Sequence, residues 1–252
     1  MARRATYIKQ NSSPKELQLI LDVGDFVGGS GKINELRAEY LLKGFSLLNY
    51  DAINLGERDF LLGSKFLQKM KQKYHLPFIS ANVYEVATGE LFTEPFVIKK
   101  FRGTNLKVGI FGLMMQADSL TQAPDEIVLS ARNPVEVARQ VVPQLQSQCD
   151  LIIALAHLGF QEAKQLAQNV EGIDVIISGH GYGSQPEPLK VNQALIVQSK
   201  NRGQTVGDLR LILDNEKNII SYAGKLIPLD SSIKDDEKLA ALIAEYKTKS
   251  KE

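Results

Sequence analysis

Several things are scarce in this 252-residue chain. It has a single cysteine, Cys149, no tryptophan and only three histidines. One thiol excludes an internal disulfide framework, and nothing beside Cys149 marks a base for it. It is read as a small packing residue and not as a nucleophile. No apolar run approaches the ~20 residues needed to span a bilayer. Charge of one sign is missing too, because 30 Lys and Arg offset 29 Asp and Glu, for a net charge of +1. Such a balance shows neither the basic footprint of a nucleic-acid binder nor an acidic tail. Repeats and low-complexity linkers are absent. The start, MARRATYIKQ, has no apolar leader. As written this implies a cytoplasmic protein, whereas an upstream start carrying a leader would imply a periplasmic or secreted one.

What is present is an ordinary globular composition, 44% apolar and 23% charged, long enough to bury a sizeable core. Apolar runs at 18–23, 51–55, 77–83, 95–101, 107–114, 151–156, 174–178 and 194–199 predict strands. Segments 206–214 and 218–228 predict two more. In DLRLILD, Leu209, Leu211 and Leu213 alternate with Asp208, Arg210 and Ile212, as in a half-exposed strand. Helical spacing is found over 33–48, from about Gly63, over 161–169 and over about 235–247. Asn133-Pro134 opens a further helix, with Asn133 as its N-cap and Pro143 expected to kink or shorten it. The stretch from Met115 to Arg132 predicts a long connection. Alternating strands and helices followed by strands alone give an α/β fold with packed sheets and outer helices.

Four polar residues share a position. Asp25, Glu57, His157 and His180 each lie just past a predicted buried strand, with a glycine one or two residues away. In open α/β sheets the carboxyl ends of strands are where ligands bind. Two imidazoles and two carboxylates meeting there would hold a divalent cation, and zinc, manganese or iron suits such a set better than calcium. The competing reading is that each caps or hydrogen-bonds its own turn. His75, before a predicted strand, is read as a surface residue.

In order, the segments ARRATYIK, LLDVGDF, NLGERDF, SANV, VGIFGLM, ALAHLGF, ISGHGY and IVQSKNRGQTVGDLRL resemble the metallophosphoesterase (calcineurin-like) domain of the 5′-nucleotidase family. The resemblance covers about residues 2–230 and implies a domain over 1–230, with 231–252 as a terminal helix and tail of the same domain and no second nucleotide-specificity domain. It implies a four-layer α/β/β/α sandwich that hydrolyses a phosphate ester with metal help. The substrate would be a small phosphate ester such as a nucleotide. No nucleic-acid or membrane partner is implied, and oligomeric state is left open.

Residue by residue, the resemblance makes Asp25 the shared metal-bridging aspartate, and His157 and His180 ligands of one site. The departures are specific. The family's opening Asp-x-His motif is absent, and Tyr182 stands where a second histidine would follow His180. Glu57 replaces a metal-binding asparagine and Arg58 replaces the catalytic histidine. One ion is therefore expected instead of two. Arg58 is a candidate phosphate clamp, and Asp59 a candidate surrogate acid that could equally cap the helix after it. A degenerate relative that binds phosphate or one metal without turnover is the alternative. Phe26, Phe60, Phe160 and Tyr182 are candidate stacking residues, with core or loop packing the plainer role. Lys200 and Arg202 would add positive potential, unless they merely line a solvated loop.

Overall fold

The structure is a computed structural model and describes residues 1–13, 16–120 and 127–251. In chain order, α1 (Ala2–Asn11), β1 (Leu21–Asp22), α2 (Lys32–Leu47) and β2 (Ala52–Asn54) lead to a 3-10 turn at Glu57–Leu62. There follow α3 (Ser64–Tyr74), β3 (Phe78–Ile79), β4 (Val83–Glu85), β5 (Phe96–Lys100), β6 (Lys107–Met114), β7 (Leu129–Ala131) and α4 (Pro134–Gln146). Next come β8 (Leu151–His157), α5 (Phe160–Asn169), β9 (Val175–Gly179), β10 (Gln185–Val191) and β11 (Ala194–Gln198). The chain closes with β12 (Thr205–Leu213), β13 (Ile219–Pro228) and α6 (Glu237–Lys249).

Two sheets form the centre. One is a short parallel sheet in the order β1-β2-β3, and the other has six strands in the order β10-β11-β9-β8-β6-β5. The period-two alternation of strands explains the layering. Along β6 and β8, Val108, Ile110, Leu151, Ile153 and Leu155 face the space between the sheets, where Ala52 and Ile79 meet them. The intervening Phe111, Leu113, Ile152, Ala154 and Ala156 face α4 and α5. On the far side of the short sheet, α2, α3 and α6 pack Leu42, Phe45, Leu67, Met70, Leu239 and Leu242 into a third cluster. The result is the α/β/β/α sandwich. The β12–β13 hairpin turns Leu209, Leu211 and Leu213 into the space between the sheets, as their alternation predicted.

Asn133 caps α4 by accepting from the amides of Val135 and Glu136. Several expected boundaries change. The run at 18–23 contributes only Leu21 and Asp22 to a ladder, because Ile20 is tied to Asp51 instead, through Asp51 Oδ2 at 2.8 Å. The run at 77–83 splits into β3 and β4, and β4 leaves the short sheet to pair with β7. That second strand lies inside the connection expected from Met115 to Arg132, of which 121–126 fall outside the described residues. Pro143 does not stop α4, which runs on to Gln146. β10 was not anticipated, since Pro186 and Pro188 argue against a strand. It lies at a sheet edge, where proline is tolerated. Among the described residues no helix is long and apolar enough to cross a membrane.

Candidate metal centre

The site starts from two turns that interlock. The turn after β1 holds Gly24, at φ 102°, and Asp25, at φ 61°. A Cβ on Gly24 would lie 2.5 Å from the Gly56 nitrogen, and one on Gly56 would lie 2.4 Å from Asp25 Oδ1. Only glycine permits this approach, and it brings Asp25, after β1, against Glu57, after β2. His180, after β9, also adopts a left-handed backbone, at φ 69°. Left-handed conformations at non-glycine residues cost energy, on the order of 1–3 kcal/mol, and collect at ligand sites. Here two of the four candidate ligands have one.

His157 closes β8 and is 2% exposed. The alternation that sends Leu151, Ile153 and Leu155 between the sheets sends His157 there too. Its Nδ1 lies 3.1 Å from the Val23 carbonyl oxygen. A carbonyl can only accept, so Nδ1 carries the proton and Nε2 is left as the metal-facing nitrogen. Nε2 is 3.3 Å from Asp25 Oδ2 and 3.2 Å from Glu57 Oε2. His180 Nδ1 is 3.2 Å from Glu57 Oε1. One ligand atom from each of Asp25, Glu57, His157 and His180 falls within 4.8 Å of every other. The structure therefore brings together all four expected ligands.

The set fits a divalent cation on its own evidence. His157 Nε2 and Glu57 Oε2 are buried atoms without a hydrogen-bond partner, which is costly unless something else satisfies them. Two nitrogens and two carboxylates suit a borderline metal. In the metal-free protein the carboxylates draw a second proton to the ring. Burial alone would lower the His157 pKa, but the Asp25 and Glu57 carboxylates facing its ring raise it to about 10. For Glu57, burial pushes upward, yet His157 and His180 hold it down at about 2.

The other candidates are placed as follows. The Arg58 guanidinium donates to the Gly28 carbonyl through Nη2 at 2.7 Å and to the Val27 carbonyl through Nε at 3.5 Å. Its backbone N–H donates to Asp25 Oδ1 at 2.9 Å. Asp59 is wholly buried and accepts from the amides of Asp25, Val27 and Gly56. Burial, then the Asp25 charge, pushes its pKa upward, while the three amide bonds favour the ionised carboxylate. It caps the 3-10 turn in which it sits, not α3. Phe26 stacks on Phe78, and Phe60 is buried against Phe92. Phe160 is partly buried under Lys164. Tyr182 is 88% exposed. Lys200 and Arg202 are exposed on a turn, and His75 ends α3 in the open.

Asn54 was not anticipated. It is fully buried at the end of β2. Its Nδ2 is 3.3, 2.8 and 3.0 Å from the carbonyl oxygens of Val23, Leu113 and Leu155, so it joins both sheets beside the site. The signal available was an amide side chain closing an apolar strand.

Fold and site together define a metallophosphoesterase-type fold carrying a four-residue cluster that could hold a metal ion. No family model matches the chain. A calcineurin-like phosphoesterase from Bacillus subtilis superposes with a TM-score of 0.83 at 23% identity, covering 99% of this chain and 89% of that one. In sequence, a 5′-nucleotidase from Vibrio cholerae is 30% identical across 91% of this chain and 48% of its own length. A snake venom 5′-nucleotidase from Crotalus adamanteus is 28% identical across 98% of this chain and 46% of its own. The chain is thus a relative of the 5′-nucleotidases and spans about half the length of the curated relatives it matches.

Proposed function

We propose that this chain is a metal-dependent phosphoester hydrolase acting on nucleotides or related small phosphate esters, with one divalent cation held by Asp25, Glu57, His157 and His180. The observation that carries it is the convergence of those four ligand atoms within 4.8 Å of one another, at the strand ends where such folds bind ligands. Relatives named 5′-nucleotidase support the substrate class.

A bound cation supplies Lewis acidity, drawing charge from phosphoryl oxygens and easing deprotonation of an attacking water. The chain's own residues do the rest. Val23 fixes the His157 tautomer. Glu57 bridges the two imidazoles. Arg58 takes the place of the family's histidine. It brings a permanent positive charge to an anionic substrate, although a guanidinium cannot deliver a proton near neutral pH. Protonation of the leaving oxygen then falls to solvent, so turnover favours esters with good leaving groups.

The test is phosphate release from nucleoside monophosphates and an aryl phosphate by the Mn²⁺-loaded protein, with Asp25→Ala as the blank. Turnover that falls to background in the blank supports the reading, and no turnover with any ester overturns it. A second reading, phosphate binding without turnover, is favoured by Arg58 itself, which already spends two guanidinium nitrogens on loop carbonyls. Calorimetric binding of phosphate with no product formed would select it.

A further inference from the structure

We propose that Asp59 is a positioning residue: one buried carboxylate that locks the turn after β1 to the turn after β2 and so sets the spacing of Asp25 and Glu57. The proposal rests on the reading of the four-residue cluster as a metal site. Asp59 Oδ2 accepts from the Asp25 amide at 2.8 Å and the Gly56 amide at 2.9 Å, while Oδ1 accepts from the Val27 amide at 3.1 Å. Two of these amides belong to the first turn and one to the second. Arg58 and Asp25 also cross between the turns, through the Val27 and Gly28 carbonyls and the Arg58 amide, but among the described residues Asp59 is the side chain that accepts from main-chain amides of both.

The geometry excludes simpler roles. Asp59 is 0% exposed, so it cannot meet a substrate. Both of its oxygens already point at main-chain N–H groups, which leaves the cluster to its neighbours. The ladder cannot do the same work, because β1 pairs with β2 through two residues only. Beyond Asp22 the chain leaves the sheet, and the backbone of Asp25 is in a left-handed conformation that short-range preference does not favour. A carboxylate anchored to three amides fixes that conformation from outside. Glu57 standing where the resembled family has an asparagine leaves this anchor untouched, since it reads backbone and not side chain. An outer group that orients ligands typically changes metal affinity by about 10–100-fold.

The experiment is Mn²⁺ titration calorimetry on the full chain, wild type beside Asp59→Asn, with the melting temperature of each metal-free protein recorded. Asn keeps the shape but presents an NH₂ to one of the amides. Mn²⁺ affinity about 10–100-fold weaker in a variant that is still folded at the titration temperature supports the proposal. Equal affinity in a folded variant overturns it, even if the melting temperature drops, because a merely structural role moves stability alone. Should Asp59→Asn fail to fold, amide exchange on the metal-free wild type decides. Slow exchange at Asp25, Val27 and Gly56 supports the anchor, and exchange as fast as in open loops overturns it. A wild type that binds no Mn²⁺ would overturn the metal reading itself, and this proposal with it.

Discussion

The two sheets hold their halves of the site by different means. His157 closes β8 and His180 follows β9, and these strands pair over five consecutive positions, from Ile153 with Val175 to His157 with Gly179. Asp25 and Glu57 follow β1 and β2, which share two ladder positions. Main-chain pairing positions the imidazoles. Side chains bonded to main chain position the carboxylates: Asp51 on Ile20, Asn54 on Val23 and Asp59 on Asp25 and Gly56. The lesson is that the carboxylate half is the more easily perturbed. Substitutions there should loosen the metal without unfolding the protein.

The largest effect expected is from Asp25→Ala. It removes a ligand outright, so Mn²⁺ affinity should fall by more than about 100-fold and phosphoesterase turnover should vanish. Calorimetry and phosphate release check this. The next is Gly56→Ala. Its Cβ would fall 2.4 Å from Asp25 Oδ1 and 2.9 Å from the Asp25 nitrogen. Overpacking of this kind costs about 1–3 kcal/mol, or roughly 2–4 °C of melting temperature per kcal/mol in a chain of this size. A melting curve beside a metal titration should show the affinity suffering more than the stability. If Gly109→Ala, on β6, whose Cβ would press Leu145 and Cys149 on the helix-facing side, weakened the metal equally, the contrast between the sheets would fail.

Asn54→Ala sits between the halves. It strips donors from the Leu113 and Leu155 carbonyls, each costing about 1–3 kcal/mol when left buried and unpaired. Lower thermal stability is expected, and chemical denaturation with an unchanged slope would confirm it.

A pH profile offers a gentler test. In the metal-free protein His157 is raised from its ordinary 6.5 to about 10. Its contribution to stability is complete below about pH 6.5 and is lost as pH climbs through about 10. Melting temperature in chelator should therefore decline from pH 7 to pH 10, and His157→Gln should flatten that decline. The smallest effect is expected from Arg58→Ala, which frees the carbonyls of exposed Gly28 and of buried Val27, the latter held only at 3.5 Å. Its stability should change by less than about 1 kcal/mol, while the KM for a phosphate ester rises.

Much of the imidazole half was legible in the sequence. The run LIIALA ends in His157, DVIIS leads to Gly179-His180, and the parity of β8 fixes which way His157 faces. All four candidate ligands could be named because each follows an apolar run with a glycine one or two residues away. What could not be read depends on bonds across long stretches of chain. Asp59 looked like a cap or an acid because its partners Asp25 and Val27 lie more than thirty residues away. Asn54 looked like a strand residue because the carbonyls it joins belong to β6 and β8. β10 was hidden by two prolines that an edge strand tolerates, and the brevity of β1 by the side chain of Asp51, which substitutes for a longer ladder.

The most direct measurement is metal content after Mn²⁺ loading and gel filtration, wild type beside Asp25→Ala. One manganese per chain in the wild type and almost none in the variant is the expected result for the cluster of Asp25, Glu57, His157 and His180. A wild type that emerges without metal, or a variant that retains as much as the wild type, would contradict it.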